Sequence, residues 1–300
     1  MSKPIILYEN MRAAAYIPYY LADTRSAFAA EGVDVEIRTS PATHRTAEAL
    51  LEGEADISWG GPMRVMLHHD RDPDCPLVCF CQVVGREPFS LIGREPNPTF
   101  RFTDLCTVRI GTVSEVPTPW MCFQDDLQRA GIDPSSLNRV ADGTMGGNVA
   151  ALRAGELDVI QVFEPFTDDL LASGDGHLWH AFAERGDIAY TTFYTTRRFA
   201  EQNREICLAM TRAMAKTQTA LFAEPAETIA SAVADYFPGQ STEALARIVT
   251  RYRDTGVWAR ATALPATPVV RLKAALISGG LISRDMPYER VVAEGLSDID

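Results

Sequence analysis

The feature that most constrains the fold is an internal repeat of one helix-to-strand pattern. Residues 49–57 read Ala-Leu-Leu-Glu-Gly-Glu-Ala-Asp-Ile, and residues 151–159, 102 positions later, read Ala-Leu-Arg-Ala-Gly-Glu-Leu-Asp-Val. In each copy a glycine, which adopts positive φ without strain, ends a helical run and an apolar strand follows. An opening strand lies upstream of each copy. The sequence therefore predicts two parallel α/β units, each built as strand, helix, strand, helix, strand.

The remainder of the chain predicts how these units are joined. A β-rich, aromatic stretch at residues 187–195 is followed by sequence that is mostly helical and interrupted by prolines. We predict a first lobe formed by residues 1–88 plus 192–300, and a second lobe formed by residues 89–191. Two chain crossings between the lobes predict a hinge with a ligand cleft beside it.

Charge and composition exclude several classes of partner. The chain has 40 acidic and 28 basic residues and a net charge of −12, so nucleic acid and anionic lipid would be repelled. No apolar run approaches the roughly 18 residues of a membrane span, and the six cysteines show no metal-site spacing. We expect no nucleic-acid partner, no membrane insertion, no metal and no cofactor. The sequence as written shows no leader pattern, which predicts a cytoplasmic location, or a periplasmic one if a signal peptide was removed.

The position of the ligand site follows from a rule for parallel α/β units. Ligands bind beyond the carboxyl ends of the strands, where the helix N-termini point. Candidate residues on or beside the loops that this rule selects are Glu9, Asn10, Tyr16, Trp59, Gly60, Ser114, Trp120, Gly147, Glu164 and, from the β-rich stretch, Tyr190. The aromatic ones are either packing residues or faces that stack on a flat ligand.

The acidic residues among the candidates bear on the charge of the ligand. Glu164 precedes Pro165 and is either a helix-capping residue or a carboxylate that accepts hydrogen bonds from an amino or ring N–H group. Together with Glu9 it predicts a ligand that is neutral or cationic. Arg12 and Arg45 are then expected to face solvent.

Two further motifs invite a metal or redox interpretation. Cys79-Phe80-Cys81 lies on an apolar strand, where period-two alternation predicts both thiols on one face in a packing role. His68-His69 is expected in a solvated loop at the end opposite the cleft.

Several segments, in their order and spacing, resemble a known family. They are 16–22, 28–35, 49–57, 102–105 before 108–111, and Glu164-Pro165. The family is the periplasmic-binding-protein-like group of sulfonate, nitrate, taurine and thiamine-precursor binding proteins of ABC importers, which also contains thiamine-pyrimidine synthases and desulfinases. The resemblance implies an α/β, two-lobed type II periplasmic-binding-protein-like (venus flytrap) fold. It also implies that Glu164 contacts the ligand, as in the thiamine-precursor binders.

The resemblance leaves two classes of function open. The first is a small-molecule binding protein, a component of an ABC importer with a permease as partner or a cytoplasmic relative, whose ligand is a small planar aromatic or pyrimidine-like compound. The alternative is an enzyme of the same fold. A synthase of this family would use a Lys and a His where this chain has Gly60 and Arg64, and a desulfinase would use a Cys where it has Asn10-Met11. Binding is therefore the expected class.

Overall fold

The computed structural model describes residues 3–141 and 143–298, and ten strands lie in its two sheets. They are β1 (Ile5–Glu9), β2 (Val35–Thr39), β3 (Ile57–Gly60), β4 (Leu77–Val84), β5 (Ser90–Gly93), β6 (Arg109–Gly111), β7 (Asn138–Val140), β8 (Val159–Val162), β9 (His177–Ala181) and β10 (Thr191–Thr196). The first sheet has the order β2-β1-β3-β10-β4, and the second has the order β7-β6-β8-β5-β9. In both, three parallel strands are followed by antiparallel partners. The predicted two-lobed α/β fold is confirmed.

Helices surround both sheets. They are α1 (Ile17–Thr24), α2 (Ala27–Ala30), α3 (Arg45–Glu52), α4 (Pro62–Arg71), α5 (Thr118–Arg129), α6 (Met145–Arg153), α7 (Phe166–Ser173), α8 (Arg197–Gln202), α9 (Arg204–Ala223), α10 (Ala226–Val233), α11 (Thr242–Asp254), α12 (Ala266–Ser278) and α13 (Tyr288–Val291). The expected helical character after the β-rich stretch is confirmed. Within the described residues, no helix combines the length and the apolar character that a membrane crossing requires.

The internal repeat has the same structural role in both sheets. Gly53 and Gly155 both adopt the left-handed conformation, with φ of 76° and 72°, which glycine tolerates without steric cost. The aspartate three residues later accepts a backbone hydrogen bond at the start of the neighbouring strand. Asp56 accepts from Ile6 at 2.8 Å, and Asp158 accepts from Arg109 at 2.8 Å. The repeat therefore joins a helix end, a turn and two parallel strands.

The chain passes between the sheets twice. Residues 85–89 lead from β4 to β5, and residues 182–190 lead from β9 to β10. The lobe boundaries expected from the sequence, and motion of one lobe against the other about these crossings, stay predictions.

The Cys79-Phe80-Cys81 motif and His69 of the His68-His69 motif both pack within the structure, but their positions differ from those predicted. Cys81 has a φ of 55° and lies at an irregularity where the register between β4 and β10 shifts. As a result Cys79 and Cys81 pack in different hydrophobic clusters, so the prediction of one shared face was wrong. His69 was also misplaced, because it is buried in the last turn of α4, with Nε2 2.9 Å from the Leu77 carbonyl oxygen.

Candidate functional site

A cavity lies between the two sheets, beside both chain crossings. The space between its lining atoms amounts to about 550 Å³, the open solvent at its mouth included. Its lining residues are Asn10, Met11, Ala13, Ala15, Tyr16, Gly61, Met63, Arg64, Pro88, Phe89, Val116, Thr118, Phe163, Tyr190 and Thr191. Most of them follow the carboxyl ends of β1, β3, β6 and β8, as the rule for parallel α/β units requires.

Two helix N-termini from opposite sheets reach this cavity. Helix α4 begins after Gly61, and α5 begins at Thr118. Neither N-terminus receives a side-chain capping hydrogen bond. Because the first N–H groups of a helix have no partner within the helix, both ends present a partial positive charge.

Arg64, in the first turn of α4, also lines the cavity. It is only 8% exposed. Within the described residues its guanidinium forms neither an ion pair nor a side-chain hydrogen bond. Sequence analysis did not select it as a binding residue. Its position in the first turn of a helix after a strand end is the one local signal in the sequence, and the same position is compatible with solvent exposure or with an ion pair.

Three of the sequence-predicted residues meet in the cavity, namely Asn10, Tyr16 and Tyr190. Asn10 is 5% exposed. Its Oδ1 and the hydroxyl of Tyr190 are both buried, and neither has a hydrogen-bond partner among the described residues. Burial raises the pKa of Tyr16, and hydrogen bonding to Asn10 and the charge of Arg64 oppose that rise. The phenols therefore stay neutral near pH 7 and can both donate and accept.

Gly60 supports this arrangement without lining the cavity. A Cβ atom at this position would lie 3.2 Å from the Tyr194 ring and 3.4 Å from Nδ2 of Asn10. Those distances are tighter than ordinary packing. Glycine at position 60 thus leaves room for the Asn10 side chain.

Glu9 and Trp59 are buried in the first lobe and do not line the cavity. Glu9 pairs with Arg12 at 2.7 Å and accepts a hydrogen bond from the Tyr20 hydroxyl at 2.8 Å. Trp59 is fully buried and stacks on Tyr19, with ring centroids 4.6 Å apart and an interplanar angle of 4°. In this structure Glu9 is already paired and the Trp59 ring is already covered.

Three other candidates also lie apart from the cavity. The Arg139 guanidinium covers the Trp120 ring at 3.8 Å from its centroid. Ser114 and Gly147 are exposed, and the Gly147 N–H donates to Thr144 Oγ1 at 3.1 Å. Proximity to a strand end did not bring these residues to the cavity: Trp120 in α5 packs under Arg139, and Ser114 and Gly147 face solvent.

Glu164 is buried within an ion-pair cluster rather than aimed into the cavity. It is 1% exposed, pairs with Arg251 of α11, and accepts a hydrogen bond from the Asp168 N–H at 2.9 Å. Burial raises its pKa, and the charge of Arg251 opposes the rise. Asp168 in turn pairs with Arg247 at 2.7 Å. Both carboxylate oxygens of Glu164 are therefore engaged within the protein, Oε1 by Arg251 and Oε2 by the Asp168 N–H.

The side chains that the enzymatic alternatives need lie elsewhere. Lys216 pairs with Glu31 at 2.6 Å, and Lys273 donates to the Met286 carbonyl at 2.7 Å. No Lys, Cys, His or acidic residue is among the described residues that line the cavity. The lining is suited to holding a molecule by packing, hydrogen bonds and one positive charge.

The family of the chain follows from comparison with known proteins. The model of the family described as NMT1/THI5 like matches residues 13–228, which is more than half of the chain. The chain belongs to the NMT1/THI5-like family. The family resemblance expected from the sequence motifs is thereby confirmed.

This NMT1/THI5-like chain is similar in sequence to the Bacillus subtilis (strain 168) protein named "Putative binding protein YtlA". The two are 23% identical over 285 residues, which cover 94% of this chain and 85% of that protein.

Solved structures show how widely the fold of this NMT1/THI5-like chain is shared. The periplasmic aliphatic sulphonate binding protein SsuA from Escherichia coli matches with a TM-score of 0.79 at 14% identity, over 99% of each chain. The desulfurization enzyme DSZB matches with a TM-score of 0.67 at 14% identity, over 98% of this chain and 97% of that one. At such identities the likeness shows the fold alone. Since a binding protein and an enzyme share it, the function must be argued from the site.

Proposed function

We propose that this NMT1/THI5-like protein binds a small molecule reversibly in the cavity between its two sheets and serves an importer as its substrate-binding component. The observation that carries the proposal is the lining of this cavity. Segments from both lobes and from both crossings contribute to it, and none of the described lining residues is a lysine, a cysteine, a histidine or an acid. The likeness to named binding proteins supports the same class.

The aromatic lining supports a planar ligand. Tyr16 and Phe163 line the cavity from opposite sheets, and Phe89 and Tyr190 line it from the crossings. Rings in these positions bury a flat body between them and gain stacking contacts worth about 0.5–1.5 kcal/mol per pair beyond the buried area. Aminopyrimidines and substituted benzenes are planar molecules of this kind. We propose Asn10 and Tyr190 as the residues that hydrogen-bond the edge of such a ring.

We further propose that the two crossings form a hinge. A ligand held by residues of both lobes gains all its contacts only when the lobes approach one another, so binding would favour the closed arrangement. The lobes would then comprise residues 1–88 plus 192–300 and residues 89–191. A permease that distinguishes closed from open protein could use this difference to select the loaded form.

Native mass spectrometry of the purified protein tests the central proposal, with one variant that fills the cavity and one matched control. Val116 lines the cavity, whereas Val140 is 45% exposed outside it. We expect wild-type protein and Val140→Trp to carry the same co-purified small molecule or to take it up from a metabolite extract. Val116→Trp should lose it.

Two results would contradict the proposal. One is the absence of any bound small molecule in wild-type protein after exposure to the extract. The other is equal retention by Val116→Trp and Val140→Trp, which would place the bound molecule outside this cavity.

A further inference from the structure

We infer that the ligand carries an anionic group, a carboxylate or a sulfonate, and that Arg64 binds it. The inference rests on the proposed function, because it assigns the chemistry of the same cavity. It replaces the expectation of a neutral or cationic ligand, which depended on Glu9 and Glu164. Both carboxylates are engaged by arginines within the protein.

The first observation is that Arg64 is a buried cation without a counter-ion. It is 8% exposed and lines the cavity, and no acidic residue in the described ranges pairs with it. A buried charge is normally paired, because removing it from water is costly. An Arg64 that faces a cavity instead of a carboxylate is therefore matched by a negative group that enters the cavity.

The second observation is that other arginines near the cavity are already paired. Arg12 binds Glu9, Arg251 binds Glu164, and Arg185 binds Glu87 and Asp126. Arg45, which sequence analysis considered beside Arg12, pairs with three glutamates on and just after its own helix. Arg64 stands apart from this pattern in a chain whose net charge is −12.

The third observation is the distribution of polarity around Arg64. The uncapped N-terminus of α4 lies within three residues of it, and α5 presents a second uncapped N-terminus from the other sheet. Helix N-termini and a guanidinium together form a site for an oxyanion. No described lining residue is acidic, so nothing there opposes a negative charge.

The rest of the lining defines the remainder of the ligand. Phe89, Phe163, Tyr16 and Met63 make most of the surface apolar. A bare inorganic anion would leave these walls without contact. An organic anion with a small planar or apolar body fills both parts of the cavity.

Four probes of nearly equal shape and different charge test the inference. They are benzoate, benzenesulfonate, the neutral benzamide and the cationic benzamidine, titrated by isothermal calorimetry. We compare wild-type protein with Arg64→Met, which keeps an apolar stem. Arg38→Met is the control, because Arg38 is half-exposed on β2 and pairs with Glu36 outside the cavity.

We expect wild-type protein to bind at least one anionic probe more tightly than benzamide or benzamidine. Loss of a charge-assisted hydrogen bond corresponds to about a 10- to 150-fold decrease in affinity. Arg64→Met should weaken anion binding by that factor, while Arg38→Met should change it less than about twofold. Arg64→Met should also leave the thermal midpoint of the ligand-free protein unchanged or higher, because it removes an unpaired buried charge.

The failures of the two proposals are distinguishable. If benzamide or benzamidine binds as tightly as the anions, or if Arg64→Met leaves their order unchanged, the assignment of Arg64 is wrong while the cavity remains a binding site. If Arg64→Met lowers the thermal midpoint of the ligand-free protein and retains the preference for anions, Arg64 is structural. If none of the four probes binds to wild-type protein, the inference fails and the proposed function loses support with it.

Discussion

Arg251 of α11 forms an ion pair with Glu164, which lies two residues after the end of β8 in the second sheet. The same guanidinium lies 3.1 Å from Asp168, and Arg247, one turn earlier on α11, pairs with Asp168 at 2.7 Å. Two arginines from a helix that follows the second crossing thus contact two acids of the second lobe. The cluster lies beside the crossings and links elements that are far apart in sequence.

Glu164→Gln is expected to affect stability more than ligand affinity. The substitution removes one of the two carboxylates that pair with the half-buried Arg251, which should lower the free energy of unfolding by about 1–3 kcal/mol. Chemical denaturation of the ligand-free protein measures this change, and Glu156→Gln, on an exposed turn of the second lobe, is the control. A variant with unchanged stability and at least tenfold weaker ligand binding would restore Glu164 as a ligand contact.

Removing both arginines should favour an open arrangement of the lobes. With Arg247→Gln and Arg251→Gln combined, three ion pairs between α11 and the second lobe are lost. We expect the radius of gyration from small-angle X-ray scattering to exceed that of the wild type in the absence of ligand. Arg153→Gln is the control, because Arg153 pairs with Asp175 within the second lobe. Equal radii for all three proteins would show that these pairs do not hold the lobes together.

The sequence predicted the sheets well because their signals are local. The repeat around Gly53 and Gly155 depends on backbone conformation and on strands that are near in sequence, and the structure reproduces it in both sheets. It predicted the site less well, because side-chain partners come from distant segments. The residue that pairs with Glu164 is 87 positions away, and no local pattern around Glu164 indicates it.

For Arg64 the sequence does not indicate that an ion-pair partner is missing. Its local pattern, an arginine in the first turn after a strand, is compatible with solvent exposure or with an ion pair. Only the packed structure shows that it is buried and that no acidic residue in the described part of the chain pairs with it. Trp59 likewise has the position of a cleft residue, but Tyr19 from α1 covers its ring.

Trp59→Ala should therefore be a stability variant. Removing a fully buried indole leaves a cavity in the first lobe, and such substitutions cost about 3–5 kcal/mol. The midpoint of urea unfolding should fall accordingly. Leu178→Ala is the control, because Leu178 is 45% exposed and its loss should cost less than about 0.5 kcal/mol. A Trp59→Ala protein of wild-type stability with impaired ligand binding would instead place Trp59 at the ligand.

A buried carboxyl group at the crossings predicts how stability depends on pH. Glu87 lies in the first crossing and pairs with Arg185 of the second, which also pairs with Asp126. Burial raises the pKa of Glu87 from 4.5 to about 7, because the cost of desolvation exceeds the stabilisation by Arg185. Its second oxygen, Oε1, has no hydrogen-bond partner among the described residues, which agrees with a carboxyl that holds its proton.

The sign of the effect follows from the two protonation states. Between pH 4.5 and 7 the folded protein holds a proton on Glu87 that the unfolded chain releases, so the contribution of Glu87 to stability falls as pH rises through this range. The loss amounts to at most about 3 kcal/mol. Glu87→Gln should remove this part of the pH dependence, whereas Glu201→Gln, on an exposed face of α8, should keep it. Denaturation at intervals of pH from 4.5 to 7.5 measures the slopes. If Glu87→Gln and wild type lose stability in parallel over that range, Glu87 is ionised in the folded protein and Arg185 outweighs its burial.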